Sequence, residues 1–324
     1  MSPEREELEV DVLFVGAGPA GLAGALHLAN RVEREKANGG PELEIAVIEK
    51  AAEVGMHGLS GAVLDPRAIR ELMPNFEAEG APIESPVTAD EFYFLTDGGQ
   101  IKSPINSPPL QNHGNYIISL GNLSRWLAEK VEAKGVYVFA GFPGAEFLRE
   151  GSQIVGVRTG DKGVDKHGQP KGNFQPSTDI KAKVTILCEG VRGSLTKQLI
   201  TSEKLDDPHH PQVYTTGVKE IWEMPEGRVQ PGRVIHTLGW PLKSDTFGGG
   251  FIYGMARNRW AVGFCTGLDS RNPYTDPHLE MQRYKTHPLV RKLIEGGKMV
   301  AYGAKAIPEG GFYAMPKHVV DGAL

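Results

Sequence analysis

Cysteine is scarce: the 324 residues carry two, Cys188 and Cys265, far apart in the sequence. That spacing argues against a disulfide framework, and two thiolates cannot hold a four-cysteine iron–sulfur cluster. Positive charge is not in excess either. Lys and Arg total 35 against 40 Asp and Glu, a formal net charge of −5. No strongly basic field is present to release counterions, which argues against a nucleic-acid partner. The opening MSPEREELEV lacks the basic and apolar regions of a secretory signal. Long apolar runs are missing. The window Val10–Ala29 has the length of a spanning helix, about 20 residues, but it contains Asp11, Pro19, His27 and several glycines. No internal repeat or low-complexity tract interrupts the chain. With 40% hydrophobic and 23% charged residues, the composition is that of a globular protein. The length suggests two packed domains.

What is present begins with a dinucleotide-type head. Asp11–Val15 (DVLFV) reads as a buried strand, Gly16–Gly21 (GAGPAG) as a turn, and Leu22–Glu35 as a helix. Leu43–Ile48 reads as a second strand ending at Glu49. G-x-G-x-x-G alone is weak, but here it follows a strand, opens a helix and lies in a βαβ unit whose second strand ends in an acid. In that setting Gly16 permits the tight turn, Gly18 lets a pyrophosphate approach the backbone, and Gly21 lets helix and strand pack closely. The helix N-terminus offers N–H groups and a partial positive charge to phosphates. Glu49 can accept hydrogen bonds from ribose hydroxyls. It lies further from the glycines than the usual spacing of about 20 residues, and the NGGPE loop at 38–42 accommodates the excess. A strand–turn–helix without a ligand would use the same residues, and the glycines do not choose between FAD and NAD. Val184–Leu195 (VTILCEGVRGSL) reads either as the second strand–turn of a two-motif flavoprotein or as an ordinary strand end.

Further along, Asp65–Met73 predicts a short helix, and EFYFLT with QIKSP a hairpin inside Ala78–Asn112. Asn122–Lys134 predicts an amphipathic helix, and Asp161–Asp179 a polar surface loop. Val213–Met224, Val234–Trp240, Phe251–Met255 and Trp260–Leu268 predict antiparallel strands, followed by helical pattern over Pro277–Ile294. The fold class is therefore α/β, on an α+β two-domain plan. A Rossmann-like nucleotide-binding domain carries an inserted mixed or antiparallel sheet. Gly248, Gly249 and Gly250 stand together at the mouth of a strand. They mark either a bulge or a place where something flat approaches bare backbone. His57, His113 and His236 form no metal-ligand spacing and read as structural or as supports behind a binding site.

Several stretches together resemble the electron transfer flavoprotein–ubiquinone oxidoreductases. They are GAGPAGL (16–22), EKAAEVGMHGLSGAVLDP (49–66), NHGNYI (112–117), KVTILCEG (183–190), GVKEIW (217–222), HTLGWPLKSDTFGGGFIY (236–253) and EGGKMVAYGAKAIPEGG (295–311). The resemblance implies an oxidoreductase that takes electrons from reduced electron transfer flavoprotein and passes them to ubiquinone, using FAD and a [4Fe–4S] cluster. It implies FAD contacts at Gly16, Gly18, Pro19, Ala20, Gly21, Glu49, Lys50, Ser60, Gly61, Ala62, Glu189 and Gly190. It implies quinone contacts at Gly248 and Gly249, and no acid–base dyad, because the cofactor carries the chemistry.

The implied FAD-binding domain covers 8–74, 113–200 and 312–324, and the quinone-binding domain 75–112 and 201–311. The family pattern continues past KHVVDGAL into a further FAD strand and a ferredoxin-like domain, so the cluster is expected outside these residues. The implied location is peripheral, on the cytoplasmic face of a bacterial inner membrane or its equivalent. Met56–Phe76, with Arg67 and Arg70, either touches the membrane or packs as a helix on the FAD domain. Two other readings remain open. One is a related reductase or hydroxylase that consumes NAD(P)H; the other is a non-catalytic fragment that binds FAD or a membrane.

Overall fold

The computed structural model describes residues 5–36, 38–58 and 61–324. In chain order it begins β1 (Glu7–Val15), α1 (Pro19–Lys36), β2 (Ile45–Glu49), β3 (Ala62–Leu64), α2 (Arg67–Leu72) and β4 (Ile83–Pro86). Next come β5 (Ala89–Leu95), β6 (Gln100–Lys102), β7 (Tyr116–Ile118), α3 (Leu120–Glu132), β8 (Tyr137–Ala140) and β9 (Gly144–Glu150). Then follow β10 (Gln153–Thr159), β11 (Lys162–Val164), β12 (Pro170–Gln175), β13 (Asp179–Leu187), α4 (Ser194–Glu203) and β14 (Tyr214–Glu223). The last are β15 (Arg233–Gly239), β16 (Gly248–Met255), β17 (Arg259–Gly267), α5 (Pro277–Thr286), α6 (Pro288–Ile294) and β18 (Lys298–Pro308).

Two compact units result. The first comprises Met1–His57, Leu123–Pro208 and Pro316–Leu324. Its six-stranded sheet runs β8-β2-β1-β13-β10-β9. The first four strands are mutually parallel, and β10 and β9 turn antiparallel at the edge. The apolar run of β1 explains its central place: Leu13, Phe14 and Val15 are all buried, as a strand covered on both faces requires. On α1 the inward residues are Gly21, Leu22, Ala25, Leu26 and Ala29. That is the stripe a helix lays on a sheet. The segment at Gly322–Leu324 runs beside β13, with Thr185 N–H donating to the Gly322 carbonyl and Leu187 N–H to that of Leu324.

The second unit comprises Gly58–Asn122 and His209–Met315. Its seven-stranded sheet runs β18-β14-β17-β16-β15-β5-β6. One face is closed by α5 and α6. There Trp260, Phe264, Ile252 and Ile235 pack with Met281, Tyr284 and Val290. Burying each of the larger side chains is worth about 1.5–3 kcal/mol, against about 0–1 kcal/mol for an exposed ion pair, so this contact dominates. On the opposite face a three-stranded sheet, β3-β7-β4, belongs to the same unit as the Ile117, Ile221, Val234 and Ala261 cluster.

Several sequence expectations differ from this architecture. Residues 58–74 and 113–122 fall in the second unit rather than the FAD domain, because β3 pairs with β7 there. The parallel pairing of β15 with β5 makes the inserted sheet mixed, one of the two forms expected, although the sequence pattern predicts four antiparallel strands there. The polar stretch at 161–179 contains the hairpin β11–β12. The helical pattern at 277–294 is split at His287, whose Nδ1 accepts from the Leu289 N–H and so starts α6 afresh.

Gly250 is fixed by this packing. Its N–H donates to Thr237 Oγ1 at 3.2 Å, and Thr237 donates to the Tyr284 hydroxyl at 3.1 Å. A Cβ at Gly250 would strike Cζ and the hydroxyl of Tyr284. Gly250→Ala is therefore expected to lower unfolding free energy by about 1–3 kcal/mol, the usual size of an overpacking penalty. Urea denaturation reads the loss, and adding Tyr284→Leu is expected to recover part of it.

Candidate functional site

In the first unit the fingerprint glycines have three different surroundings. Gly16 has φ +112, and a Cβ there would strike the Cys188 carbonyl. At Gly21 a Cβ would strike the Gly16 carbonyl. Both glycines are demanded by the protein itself. At Gly18 nothing lies within 4 Å of the Cβ position. The fold alone does not require glycine there, whereas a pyrophosphate lying on the backbone would. The first-turn N–H groups of α1 have no intrahelical acceptor and sit beside this opening.

Glu49 ends β2 beside the turn. Its Oε2 accepts from the Ala17 N–H at 3.0 Å and its Oε1 from the Ala51 N–H at 2.8 Å. These bonds hold the carboxylate in one orientation and leave each oxygen a second lone pair for a ribose hydroxyl. Pro19 opens α1, while Ala20 and Lys50 are exposed. This donor and acceptor set fits a dinucleotide. Glu189 has a different task. Its carboxylate accepts from the N–H groups of Ser194, Leu195 and Thr196 and from Thr196 Oγ1, at 2.8–3.3 Å. It caps α4. Gly190 has φ +79 with open space at its Cβ position. Ser60 lies outside the described residues. Gly61 and Ala62 belong to the second unit, where a Cβ on Gly61 would strike the Ala261 side chain.

In that second unit, the sheet face away from α5 carries a row set by strand register. Lys219 on β14 is opposite Gly263 on β17, Gly263 is opposite Phe251 on β16, and Phe251 is opposite His236 on β15. Phe251 lies across Gly263 and stacks on Tyr253, with ring centroids 5.0 Å apart. His236 Nε2 is 3.2 Å from the Tyr253 hydroxyl. Gly249, opposite Cys265, lies in the adjoining row. The spaces beside Gly248 and Gly249 are not vacant. A Cβ at Gly248 would strike the Cys265 carbonyl and Leu242, and one at Gly249 the Thr237 carbonyl and Leu238. The close packing of neighbouring strands therefore explains the glycine run without a ligand. This differs from the expectation of bare backbone left clear for a flat ring.

A family profile described as "ETF-QO, ubiquinone-binding" matches residues 214–307, which is β14 through most of β18. The chain is 46% identical to the electron transfer flavoprotein-ubiquinone oxidoreductase of Pseudomonas aeruginosa, over 98% of its own length and 58% of that protein's. It is 45% identical to the mitochondrial protein of that name from Sus scrofa, over 99% of its length and 52% of that protein's.

The chain is a homologue of the electron transfer flavoprotein–ubiquinone oxidoreductases.

It spans a little over half the length of these relatives. Among solved structures it is similar to a geranylgeranyl bacteriochlorophyll reductase-like protein from Thermoplasma acidophilum. That match has a TM-score of 0.65 at 17% identity, over 93% of this chain and 67% of that one. A flavoprotein/dehydrogenase from Cytophaga hutchinsonii gives a TM-score of 0.62 at 17% identity, over 98% and 70%. The oxidoreductase homologue thus has the mixed α/β fold of FAD-dependent flavoproteins.

Two further features of the homologue were not legible in the sequence. The first is Lys219. Its ammonium is 5.1 Å from the Phe251 ring centroid and 3.4 Å from the Gly61 carbonyl, and it forms no ion pair among the described residues. Burial pushes it down to about 8, slightly offset by nearby Cys265. By contrast Lys285, facing the other side, is paired with Glu220 at 2.8 Å. The usable signal was a lysine at the same strand parity as buried Gly217 and Ile221. The second feature concerns exposed apolar groups. In the Met56–Phe76 stretch, Ile69, Met73 and Phe76 are buried. Arg67 pairs with Asp65, and Arg70 with Glu77. Met56 is exposed, but among the described residues the larger group of exposed apolar side chains lies elsewhere. Leu238, Phe94 and Ile101 are cross-strand neighbours on β15, β5 and β6, and Ile105 and Phe247 are exposed on flanking segments. No helix among the described residues is long and apolar enough to cross a membrane, and no group of three or more candidate metal ligands is found among them.

Two predictions follow from these geometries. Gly16→Ala is expected to cost about 1–3 kcal/mol through strain and collision. Gly18→Ala is expected to shift stability by no more than about 0.5 kcal/mol; thermal melts of the two variants compare them. For Lys219, the folded chain releases its proton near 8 and the unfolded chain near 10.5. Between those values the unfolded state binds more protons, so stability rises with pH. The parent is expected to gain on Lys219→Met between about pH 8 and about pH 10. A flat difference across that window would contradict a buried, unpaired ammonium.

Proposed function

We propose that the chain binds FAD and ubiquinone and takes part in passing electrons from reduced electron transfer flavoprotein to ubiquinone. The observation that carries this reading is identity of 46% sustained over 98% of the chain. The space left at Gly18 supports the FAD part.

In this reading α1 presents its N-terminus to the pyrophosphate, and Gly16 and Gly21 hold the turn that brings it there. Glu49, oriented by the Ala17 and Ala51 N–H groups, takes the adenosine ribose hydroxyls. Pro19, Ala20 and Lys50 flank that position, and Gly190 offers a second close approach. Glu189 acts at one remove, by fixing the start of α4. FAD, when bound, supplies the electron-carrying ring. The second unit supplies the quinone's seat. Helices α5 and α6 close one face of its sheet, so the quinone lies on the other, near Gly248 and Gly249. The exposed Phe94, Ile101, Ile105, Leu238 and Phe247 provide the peripheral contact with the bilayer in which a lipophilic quinone resides. The [4Fe–4S] cluster of the full activity would come from sequence the chain does not share, since Cys188 and Cys265 cannot supply its thiolates.

The test is flavin stoichiometry by visible absorbance, followed by mixing with reduced electron transfer flavoprotein and a short-chain ubiquinone. About one FAD per chain with quinone-dependent reoxidation is expected, with Gly18→Ala losing flavin while remaining folded. Absence of flavin after reconstitution would sink the FAD assignment. Consumption of NAD(P)H without any response to the quinone would favour a related reductase instead.

A further inference from the structure

The face of the seven-stranded sheet turned away from α5, covered in part by β3-β7-β4, holds a cation that the fold does not explain. A buried ammonium normally comes with a carboxylate, because leaving it unpaired is costly. β14 shows both situations one residue apart. Glu220 faces the helices, 4% exposed, and takes two hydrogen bonds from Lys285 at 2.8 and 2.9 Å. Lys219 faces the other way and has the Gly61 carbonyl at 3.4 Å and the face of Phe251. An ammonium has three donors; among the described residues, one long bond and a ring face leave donor capacity unused.

The surroundings narrow what would use it. Gly303 on β18 and Gly263 on β17 stand opposite Lys219 on either side, so neither neighbouring strand places a side chain beside it. Phe251 fills the space over Gly263 and offers a flat apolar surface next to the ammonium. The row containing Gly249 and Cys265 is two residues along, about 7 Å at the usual strand rise. A planar ring of quinone size, seated near Gly249, would bring a carbonyl oxygen toward Lys219. Such an oxygen accepts a hydrogen bond when neutral and attracts a cation more strongly as it gains electron density.

We propose that Lys219 is a binding residue for the quinone head, donating a charge-assisted hydrogen bond to one ring oxygen from the sheet face turned away from α5. This rests on the quinone-binding reading above and adds the group that recognises the ring. The glycines shape the sheet, Phe251 supports the ring, and Lys219 supplies polarity at one end.

The experiment compares the parent with Lys219→Met and Lys219→Arg, using a short-chain ubiquinone as probe in detergent. Quinone affinity is read by quenching of tryptophan fluorescence, FAD affinity by flavin fluorescence, and stability by thermal melts. Lys219→Met keeps the length and removes a costly charge, so its melting temperature should match or exceed the parent's. Its quinone affinity should fall about tenfold or more, the size of one charge-assisted hydrogen bond. FAD affinity should stay unchanged, and Lys219→Arg should recover part of the quinone affinity. If the parent binds the quinone and Lys219→Met binds it equally well, the assignment of Lys219 is overturned while the proposed function stands. If Lys219→Met is markedly less stable, or loses FAD while keeping the quinone, Lys219 is not the quinone's partner. If the parent itself binds no quinone, both readings fall together.

Discussion

One tyrosine ring set against a glycine determines which face of the second unit's sheet is filled. Gly250 has no side chain because Tyr284 of α5 occupies the place where one would be, and Thr237 ties the two together by hydrogen bonds at 3.1 and 3.2 Å. That contact seats α5 on one face of the seven-stranded sheet. Trp260, Phe264, Met281 and Val290 then complete a core there that no ligand can share. Because successive residues of a strand point to opposite faces, the same event sends Phe251, Lys219 and His236 to the other face. Partition of the sheet into a side filled by α5 and α6 and a side that carries Lys219 is thus a packing consequence. The proposed quinone seat depends on it.

The first unit obeys a similar logic on a smaller scale. Gly16 and Gly21 are glycines because the chain crosses itself at the turn, and Gly18 is one without any such need. The difference separates residues that make the cradle from the one that leaves room in it. Glu49 and Glu189 were alike in the sequence as acids after strands, yet their surroundings assign them different tasks. Glu49 takes two backbone N–H groups and keeps spare lone pairs. Glu189 takes three backbone N–H groups and a hydroxyl from α4 and serves that helix.

Legibility followed sequence distance. The βαβ head could be read because its pattern is local: a buried run, a glycine turn, a helix and an acid. The strands β14, β16 and β17 were readable from alternation and from the turn at Arg257 and Asn258, both with positive φ. The parallel pairing of β15 with β5 was not, since it joins segments whose partnership no local pattern announces. The β11–β12 hairpin was hidden because its strands bury little and so show no apolar alternation. The division of α5 from α6 follows from Pro288 and the His287 cap, a break that the apolar pattern passed over. Lys219 was invisible for a stronger reason. A lysine in a strand acquires meaning only from what stands opposite it, and here those neighbours are Gly263 and Gly303. The family resemblance placed the quinone at glycines that the fold already requires, and it did not name the cation beside them.

The central claim is that the quinone lies on the sheet face turned away from α5. A crystal structure of the chain grown with FAD and a saturating short-chain ubiquinone tests it most directly. The account predicts ring density over Phe251 and next to Gly249, with one ring oxygen within hydrogen-bonding distance of Lys219 Nζ. Ring density away from that face, with the Lys219 and Phe251 side chains unmoved and uncovered, would contradict it.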